Sequence, residues 1–476
     1  MTETINETGV QAGHDAGPAR PGPDSVTTQP ARVPVAPPSG TVQQELTGWG
    51  RYPRTGTSVA RPERYAELAA WAGQACLARG AGRAYGDAAV SAEGATLLMT
   101  RLNRFIAFDA DTGLLRAEAG VTLDEILRAV MPQGWFLPVT PGTRYVTLGG
   151  AIAADVHGKN HHHVGSFSAF VREFELFTPG GRLVCSPAEN VAAFNATVGG
   201  MGMTGLIGEV VLQLRRVPSG DMQVQHLPAR DLNEAMAIMA APEHDDEYTV
   251  AWIDCLASGK SLGRSVFMRG HHADGPLGHG PAPAKLALPV NLPALALNRW
   301  SVKAFNAFYY RWEGRKRKPF RCDIAPFFYP LDGIRDWNRL YGKPGFVQYQ
   351  FVLPTASAAE GLRTVLDRLA RSGNASFLAV LKRFGAQGSG LLSFPTEGWT
   401  LALDLPLRQD TLGLLDTLDA VVLEHGGRVY LAKDARLAAS ALPRMYPRLD
   451  EWRRIRRELD PDGLFLSALG QRLEMI

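Results

Sequence analysis

Apolar residues recur along this chain with two different spacings, one typical of strands and one typical of helices. In the first half, alternation in twos predicts strands at 96–99, 114–119 and 174–178, and spacing in threes and fours predicts helices at 62–76 and 123–131. A second region opens near residue 223, with strands expected at 248–253 and 346–353 and helices at 358–371 and 411–424. This grouping favours an antiparallel sheet backed by helices, so the predicted fold class is α+β.

Composition places the chain among soluble enzymes with more than one hydrophobic core. Its 476 residues are enough for two or three cores. A hydrophobic content of 45% comes without an apolar run of membrane length, so no spanning helix is expected. The net charge of +3 argues against a nucleic-acid binder. The four cysteines show no C-x-x-C spacing, which favours reduced thiols.

The first 44 residues differ in composition from the rest. They are rich in Pro, Gly, Thr and Ala, contain almost no bulky apolar side chains and show no periodicity. We therefore expect residues 1–44 to be a disordered extension. This stretch also lacks the basic start and apolar core of a secretory signal, which favours a cytoplasmic protein or one held peripherally at the cell membrane.

Two glycine-rich segments predict a cofactor cradle. Residues 141–166 read PGTRYVTLGGAIAADVHGKNHHHVGS, and their glycines and alanines leave the backbone free to approach a flat ligand closely. Upstream, residues 78–87 read ARGAGRAYGD. Two arginines and three glycines there suit a diphosphate, because backbone donors and fixed cations compensate its charge.

These segments and two later motifs carry a family resemblance. GRAYGD, PGTRxVTxGGAIAxDxHGKNHH, GFxQYQF and AKDxR are similar to the oxidase subunits of decaprenylphosphoryl-β-D-ribose 2′-epimerases, within the vanillyl-alcohol-oxidase-type superfamily. The resemblance implies a PCMH-type FAD-binding domain over residues 45–219 and a substrate-binding domain over 220–427. It also implies that residues 428–476 return to the FAD domain.

The resemblance further implies that FAD is bound without a covalent link. Covalent relatives often carry a histidine in the diphosphate loop, whereas this loop has Arg83, and a guanidinium is not expected to form the flavin 8α bond. The residues that the resemblance places at the cofactor are Arg79, Gly80, Ala81, Gly82, Arg83, Ala84, Tyr85, Gly86, Asp87, Gly142, Thr147, Leu148, Gly149, Gly150, Ala154, Asp155, Val156, His157, Gly202, Ile207 and Tyr430.

Catalytic and substrate residues follow from the same resemblance. Lys433 is the first choice for the positive charge beside the flavin or for binding the oxidised hydroxyl, and Tyr85, His157 and Lys159 line the same implied site. The implied substrate contacts are Trp252, Phe328, Tyr329, Gln350, Lys382, Thr400, Ala402 and Lys433.

Three positions, in two segments, depart from the family pattern. The family segment WNxCxDF appears here as WTLALDL, so Thr400 stands where an asparagine is usual and Ala402 where a cysteine is usual. Alignment on residues 330–332 also places Phe328 at a familiar active-site tyrosine, with Tyr329 one position later. The substrate is therefore less closely defined by the sequence than the cofactor is.

Two further patterns resemble ligand-binding motifs, but we interpret neither of them as a nicotinamide or metal site. GMGMTG at 200–205 satisfies G-x-G-x-x-G, but the alternating residues after it predict a strand rather than the helix of a nicotinamide site. The histidines at 157 and 161–163 have no recognised zinc spacing, and three consecutive histidines cannot all point into one pocket. No metal is expected.

A basic aromatic segment follows a long Gly-, Pro- and Ala-rich loop at 270–298. Residues 299–321 place arginines and lysines among Trp300, Phe308, Trp312 and other aromatic residues. Two interpretations stay open: a solvated basic face beside a buried helix, or a surface for an anionic lipid. The lipid surface would suit a polyprenyl phosphate.

Together these features lead to a functional hypothesis. We expect FAD-dependent oxidation of the 2-hydroxyl of decaprenylphosphoryl-β-D-ribose, or a close prenylphosphoryl sugar, with a short-chain-dehydrogenase-type NAD(P)H reductase completing the epimerisation. The family analogy also allows a periplasmic location. The alternatives are an aldonolactone or sugar-alcohol oxidase of the same fold, and a catalytically silent flavin- and lipid-binding partner of the reductase.

Overall fold

The structure of the protein is a computed structural model that describes residues 40–476 except 92, 294–296, 375 and 377. The disorder predicted for residues 1–39 lies outside the described residues. The first strand begins at Val42, so residues 42–44 of the predicted extension are part of a sheet. The described residues belong to one compact unit, and the domain boundaries predicted near residues 220 and 428 remain predictions.

The strands, in chain order, are β1 (Val42–Thr47), β2 (Arg54–Ala60), β3 (Cys76–Arg79), β4 (Ala95–Leu98), β5 (Phe105–Asp109), β6 (Leu114–Glu118), β7 (Trp135–Phe136), β8 (Val171–Thr178), β9 (Gly181–Cys185), β10 (Leu206–Gln213), β11 (Arg215–Arg216), β12 (Asp221–Ala229), β13 (Tyr248–Ile253), β14 (Ser265–His272), β15 (Leu286–Ala287), β16 (Phe320–Asp323), β17 (Ile334–Arg335), β18 (Phe346–Pro354), β19 (Ala379–Phe384), β20 (Gly398–Pro406) and β21 (Arg428–Val429).

The α-helices are α1 (Glu67–Ala72), α2 (Leu123–Val130), α3 (Leu148–Ala153), α4 (His161–Val164), α5 (Val191–Thr197), α6 (Leu232–Ala240), α7 (Arg299–Glu313), α8 (Ile324–Phe328), α9 (Thr355–Ser372), α10 (Thr411–Glu424), α11 (Leu442–Met445), α12 (Leu449–Leu459) and α13 (Ala468–Arg472). Within the described part of the chain, none of these helices is both long enough and apolar enough to cross a membrane.

Two sheets build the amino-terminal half. One has the order β1-β2-β4-β3, and the other is antiparallel with the order β5-β6-β10-β8-β9. Helix α2 begins with a capping box, in which Thr122 Oγ1 accepts from the backbone N–H of Glu125 and the Glu125 carboxylate accepts from the N–H of Thr122. Its apolar residues recur at helical spacing and are buried.

The helix predicted at 62–76 is wrong in extent. Helix α1 covers only Glu67–Ala72 and ends at Gly73, and Cys76–Arg79 instead forms β3, parallel to β4. Glycine has the largest conformational entropy to lose in a helix, which explains why the helix stops there. The strands predicted around β4, β6, β8, β13 and β18, and the helices predicted around α2, α9 and α10, are confirmed within a few residues.

An antiparallel sheet of eight strands forms the second half, in the order β16-β12-β14-β13-β19-β20-β18-β21. Alternate side chains point to opposite faces of such a sheet. Leu381, Leu401 and Phe351 are fully buried in the core that also contains apolar residues of α9 and α10, whereas their neighbours along the strands face a cavity. The predicted arrangement of a sheet backed by helices, and the α+β class, are confirmed.

The last part of the chain returns to the first glycine-rich loop. The backbone N–H of Tyr85 donates to the carbonyl oxygen of Ala432 at 3.0 Å. Arg472 of α13 forms ion pairs with Asp87 and Asp434, with N–O distances of 2.8 and 2.9 Å. The loop at 78–87 is therefore held by the carboxyl-terminal segment, which brings Tyr430 and Lys433 to the same cavity.

Candidate functional site

A cavity of about 630 Å³ separates the glycine-rich loops from one face of the eight-stranded sheet. Both loops contribute to its wall, together with the turn at 201–207 and the segment at 430–433. The strand that follows this turn, β10, begins at Leu206, so the nicotinamide-type motif lacks its helix as predicted. Gly202 and Ile207 instead line the cavity.

Close packing explains the glycines of the first loop. A Cβ atom on Gly80 would overlap Thr147 Oγ1, and one on Gly86 would overlap the carbonyl oxygen of Asp434. Gly82 has a φ of +64°, which is a left-handed conformation that side chains disfavour. The two glycine-rich segments therefore approach each other more closely than larger residues allow, and they form one continuous wall of the cavity.

Arg83 supplies an unsatisfied cation to this wall. Its guanidinium lies over the Trp49 ring, 3.9 Å from the ring centroid, and its Nε atom is buried with no hydrogen-bond partner among the described residues. Because a buried donor without a partner is unfavourable, this geometry fits an anionic ligand such as a diphosphate. Arg79 is different, since it donates to the carbonyl oxygens of Thr47 and Ala89.

His157 and Gln350 form the polar centre of the cavity. The Gln350 side-chain amide lies 3.0 Å from His157 Nε2 and 3.3 Å from Thr400 Oγ1. Burial, together with the charge of Lys382, holds the pKa of His157 well below its usual range. The imidazole is therefore neutral. With Nε2 accepting from Gln350, its proton is on Nδ1, which is buried and has no described partner.

Three lysines converge on the same space. The Lys433 amine lies over the Tyr85 ring at 3.9 Å from the centroid, and the Lys159 amine donates to the carbonyl oxygen of Phe327. Burial lowers the pKa values of Lys433 and Lys159 to about 7 and that of Lys382 to about 8. The Asp404 carboxyl acts electrostatically on Lys433 and favours its charged form, whereas among the described residues no carboxylate acts in this way on Lys159 or Lys382. Such a cluster favours an anionic ligand.

Most of the residues expected at the site lie together on the cavity wall. They are Gly80, Ala81, Gly82, Arg83, Ala84, Tyr85, Gly142, Thr147, Gly149, Gly150, Ala154, Val156, His157, Lys159, Gly202, Ile207, Trp252, Phe328, Gln350, Lys382, Ala402, Tyr430 and Lys433.

Other expected residues lie behind the wall, namely Arg79, Gly86, Asp87, Leu148, Asp155, Tyr329 and Thr400. Asp87 is ion-paired with Arg472, Asp155 accepts from the Ser393 hydroxyl and the Ser168 N–H, and Tyr329 shares a hydrogen bond with Thr140. Leu148 is fully buried in the core. Their protein partners hold these residues behind the cavity wall, and their assignment to the ligand site stays a prediction.

Several lining residues are missing from the sequence-based set. Gln348 lines the cavity and donates to Asp404, and the alternation of β18 places it on the same face as Gln350, which the sequence could have shown. Trp49, Tyr309 and Glu313 also line the cavity. Trp49 lies between β1 and β2, whereas Tyr309 and Glu313 are four residues apart on α7, and no local pattern marks them as site residues.

The consecutive histidines point in two directions. His161 Nδ1 accepts from the backbone N–H of Gly385 at 3.2 Å, whereas the Nε2 atoms of His162 and His163 lie 3.5 and 3.6 Å from Asp245 Oδ1. Among the described residues, His162, His163 and Asp245 form a group that could hold a metal ion. Arg383 lies 3.9 Å from the same oxygen and offsets its charge. The expectation of no metal stays a prediction.

The fold and the site define an FAD-dependent oxidoreductase. A family model described as an FAD-binding domain matches residues 57–186, and one described as D-arabinono-1,4-lactone oxidase matches residues 407–473. Over 92% of its length, the chain is 38% identical to the decaprenylphosphoryl-β-D-ribose oxidase of Mycolicibacterium smegmatis, of which 98% is covered. The chain belongs to the family of that oxidase.

Two further relatives show how widely the similarity extends. An uncharacterised protein of Streptomyces coelicolor is 36% identical, with 74% of this chain and 100% of that protein covered. An alditol oxidase of a Streptomyces species is 28% identical, with 89% of this chain and 97% of that protein covered. The cofactor expected from the sequence, FAD, is confirmed by these comparisons.

We expect the FAD to be released by denaturation. The diphosphate loop presents Arg83 rather than a histidine to the cavity, and a guanidinium is a poor partner for a covalent flavin bond. Acid precipitation of the purified holoenzyme should leave the yellow colour in the supernatant. Flavin that remains in the washed pellet would show a covalent link.

Inhibitors that act by bonding to a cysteine at the position of Ala402 should not modify this protein. Ala402 lines the cavity beside Gln350, and its methyl group has no nucleophilic atom. Cys322 also lines the cavity, but burial raises its pKa to about 11, so it is a thiol at neutral pH. Intact-mass spectrometry should show no adduct, and a stoichiometric adduct mapped to a residue of the cavity, such as Cys322, would contradict the prediction.

Proposed function

We propose that the protein oxidises the 2-hydroxyl of decaprenylphosphoryl-β-D-ribose, or of a close prenylphosphoryl sugar, to the 2-keto compound. The observation that carries this proposal is a single cavity that joins the glycine-rich cradle to the amines of Lys159, Lys382 and Lys433. Asp404 acts on Lys433 alone, and a phosphorylated sugar supplies a negative charge for the other two amines. The near full-length similarity to an oxidase named for such a substrate supports this choice.

Bound FAD supplies the two-electron acceptor for this oxidation. The chain's own residues then have distinct tasks. We assign Lys433 the positive charge beside the reacting hydroxyl, because it approaches the cavity next to Tyr85 and Tyr430. We assign His157 and Gln350, which both line the cavity, the positioning of sugar hydroxyls. Lys382 and Lys159 bind the phosphate or sugar oxygens, and Thr400 orients Gln350.

The rate of flavin reduction should fall as the pH rises through about 7. Lys433 has a pKa lowered by burial to about 7, so its amine is charged below that pH and neutral above it. A stabilising charge is therefore present at low pH and lost at high pH. Anaerobic stopped-flow measurements between pH 6 and 9 at saturating substrate test this, and the Lys433→Arg variant should lose the Lys433 contribution to the transition because its guanidinium stays charged, whereas Lys159 and Lys382 still titrate. A rate that rises with pH would instead make Lys433 a base.

An alditol or aldonolactone oxidase is the second candidate function. The similarity to alditol oxidase and the match of residues 407–473 to the lactone oxidase model favour it. A neutral soluble sugar, however, supplies no negative charge to Lys159 and Lys382. A catalytically silent flavin-binding partner is a further alternative, and the presence of Lys433, Tyr85 and His157 on one wall argues against it.

Anaerobic titration distinguishes these candidates. The holoenzyme is mixed with prenylphosphoryl ribose, with the same ribose phosphate lacking the lipid, with an alditol or with an aldonolactone, and the flavin absorbance is followed. Our proposal predicts bleaching by the prenylphosphoryl ribose at the lowest concentration. Bleaching only by the alditol or lactone would favour the second candidate, and bleaching by none would favour the silent partner.

The proposed reaction also defines partners. Its 2-keto product needs a reductase to complete an epimerisation, and we propose a short-chain-dehydrogenase-type NAD(P)H enzyme for that step. Since the substrate carries a lipid, we propose that the protein works at the membrane surface. The exposed face of α7 supports this location: Trp300, Phe308 and Trp312 have 76%, 62% and 52% of their surface accessible.

A further inference from the structure

The cavity does not end at the lysines. It continues across the eight-stranded sheet, away from the glycine-rich loops. Gln350, Ala402, Val380 and Trp252 are paired neighbours on β18, β20, β19 and β13, and all four line the cavity. The cavity therefore follows a row of side chains across these strands, perpendicular to the strand direction.

A second row extends the cavity floor further. Val250, Met268 and His226 are paired neighbours on β13, β14 and β12, and all three line the cavity. From Ala402 on β20 to His226 on β12 there are four strand spacings, which corresponds to about 19 Å. We call this extension, from Trp252 to His226, the side arm.

Helix α7 and the segment after it cover the side arm. Tyr309 of α7 packs on Trp252, with the ring centroids 4.7 Å apart. Asn306 is buried in the sheet-facing side of the helix and donates to Asp254 at 2.7 Å, which fixes the helix on the sheet. Phe320 and Phe327 complete the wall. The side arm is thus enclosed by apolar and aromatic side chains.

Charged groups lie mainly at the two ends of the side arm. Lys382 lies at the inner end, and the Lys159 amine lies against the side-arm wall, 4.1 Å from the Phe327 ring centroid. At the outer end, Glu313 pairs with His226 at 3.1 Å and with Lys316 at 2.9 Å. Lys316 is half-buried, and it belongs to the basic aromatic segment 299–321, for which a lipid surface is one of the two interpretations left open by the sequence. Apart from the Lys159 amine and the Cys322 thiol, the lining between the two ends is apolar or aromatic.

We propose that the side arm binds the first isoprene units of the substrate's lipid tail. A ligand with a phosphate at the lysines and an apolar chain beyond it matches the order of charged and apolar groups along the cavity. Apolar burial of this kind strengthens binding in proportion to the surface removed from water. The inference rests on the proposed function and specifies which residues select for the lipid. The tail leaves at the outer end, next to α7.

Blocking the side arm tests this. Met268→Trp places a bulky ring midway along it, and Met268→Leu is the matched control that keeps the volume. The substrates are decaprenylphosphoryl ribose in detergent micelles and a water-soluble ribose phosphodiester with a methyl group in place of the lipid. Flavin content and melting temperature confirm that both variants are folded. Prenyl phosphates of increasing chain length, without sugar, serve as inhibitors in parallel.

We expect Met268→Trp to raise the apparent KM for the long-chain substrate by about tenfold or more, with little change for the methyl analogue. Inhibition of the wild type should strengthen with chain length, and this gain should disappear in Met268→Trp but not in Met268→Leu. Equal effects on both substrates, or no effect on either, would overturn the side-arm proposal while leaving the oxidation intact. If the wild type oxidises neither substrate, the proposed function itself fails.

Discussion

Replacing Lys433 with alanine should lower the rate of flavin reduction by about 100-fold, corresponding to a barrier increase on the order of 3 kcal/mol. The amine lies on the Tyr85 ring in a partly buried position, where surrounding protein strengthens its electrostatic effect. Losing it removes both a positive charge and a substrate contact. The FAD content should stay near normal, because Arg83 and the glycine-rich loops are unchanged.

Two comparisons make this prediction specific. Lys260→Ala removes an exposed lysine of the same sheet-containing half and should leave the rate unchanged. Lys433→Arg keeps the charge and should recover part of the rate. Stopped-flow reduction of the flavin-loaded variants measures the effect directly. A flavin-loaded Lys433→Ala protein with full activity would remove this residue from the mechanism.

Changing Trp300, Phe308 and Trp312 together to serine should abolish most binding to lipid vesicles. These side chains follow each other at helical spacing on α7 and are largely exposed. If each buries part of its surface in the headgroup layer, their loss weakens binding by about 3 kcal/mol in total, or about 100-fold. Sedimentation with vesicles that contain anionic lipid measures this.

A second variant tests the contribution of positive charge to vesicle binding. Arg311 and Arg315 are exposed beside these aromatic residues, and their replacement with glutamine should weaken binding mainly at low salt. Activity on a water-soluble analogue should be unaffected in both variants, since neither set lines the cavity. Unchanged vesicle binding in the aromatic variant would contradict the lipid surface and favour the interpretation of this helix as a solvated face.

Local patterns predicted the elements that are periodic in sequence. Alternation in β18 and helical spacing in α9 identified both elements to within a few residues. The error at α1 arose because an apolar run that ends in a buried strand has the same composition as a helix, and only pairing of Cys76–Arg79 with β4 separates them.

Side-chain direction at the site was less predictable. Arg79 and Arg83 belong to the same loop, but Arg79 bonds to the carbonyl oxygens of Thr47 and Ala89, so only Arg83 reaches the cavity. The side arm could not be predicted at all. It depends on α7 folding across strands that are up to about a hundred residues away in sequence, through the contact of Tyr309 with Trp252.

The most direct test of the central claim is the isotope dependence of flavin reduction. Prenylphosphoryl ribose carrying deuterium at C2 is compared with the same compound labelled at C3, under anaerobic conditions in single-turnover stopped flow. Oxidation at the 2-hydroxyl breaks the C2–H bond, so the account predicts slower flavin bleaching with the C2 label and an unchanged rate with the C3 label. Slowing by the C3 label alone would contradict it, as would bleaching without a 2-keto product.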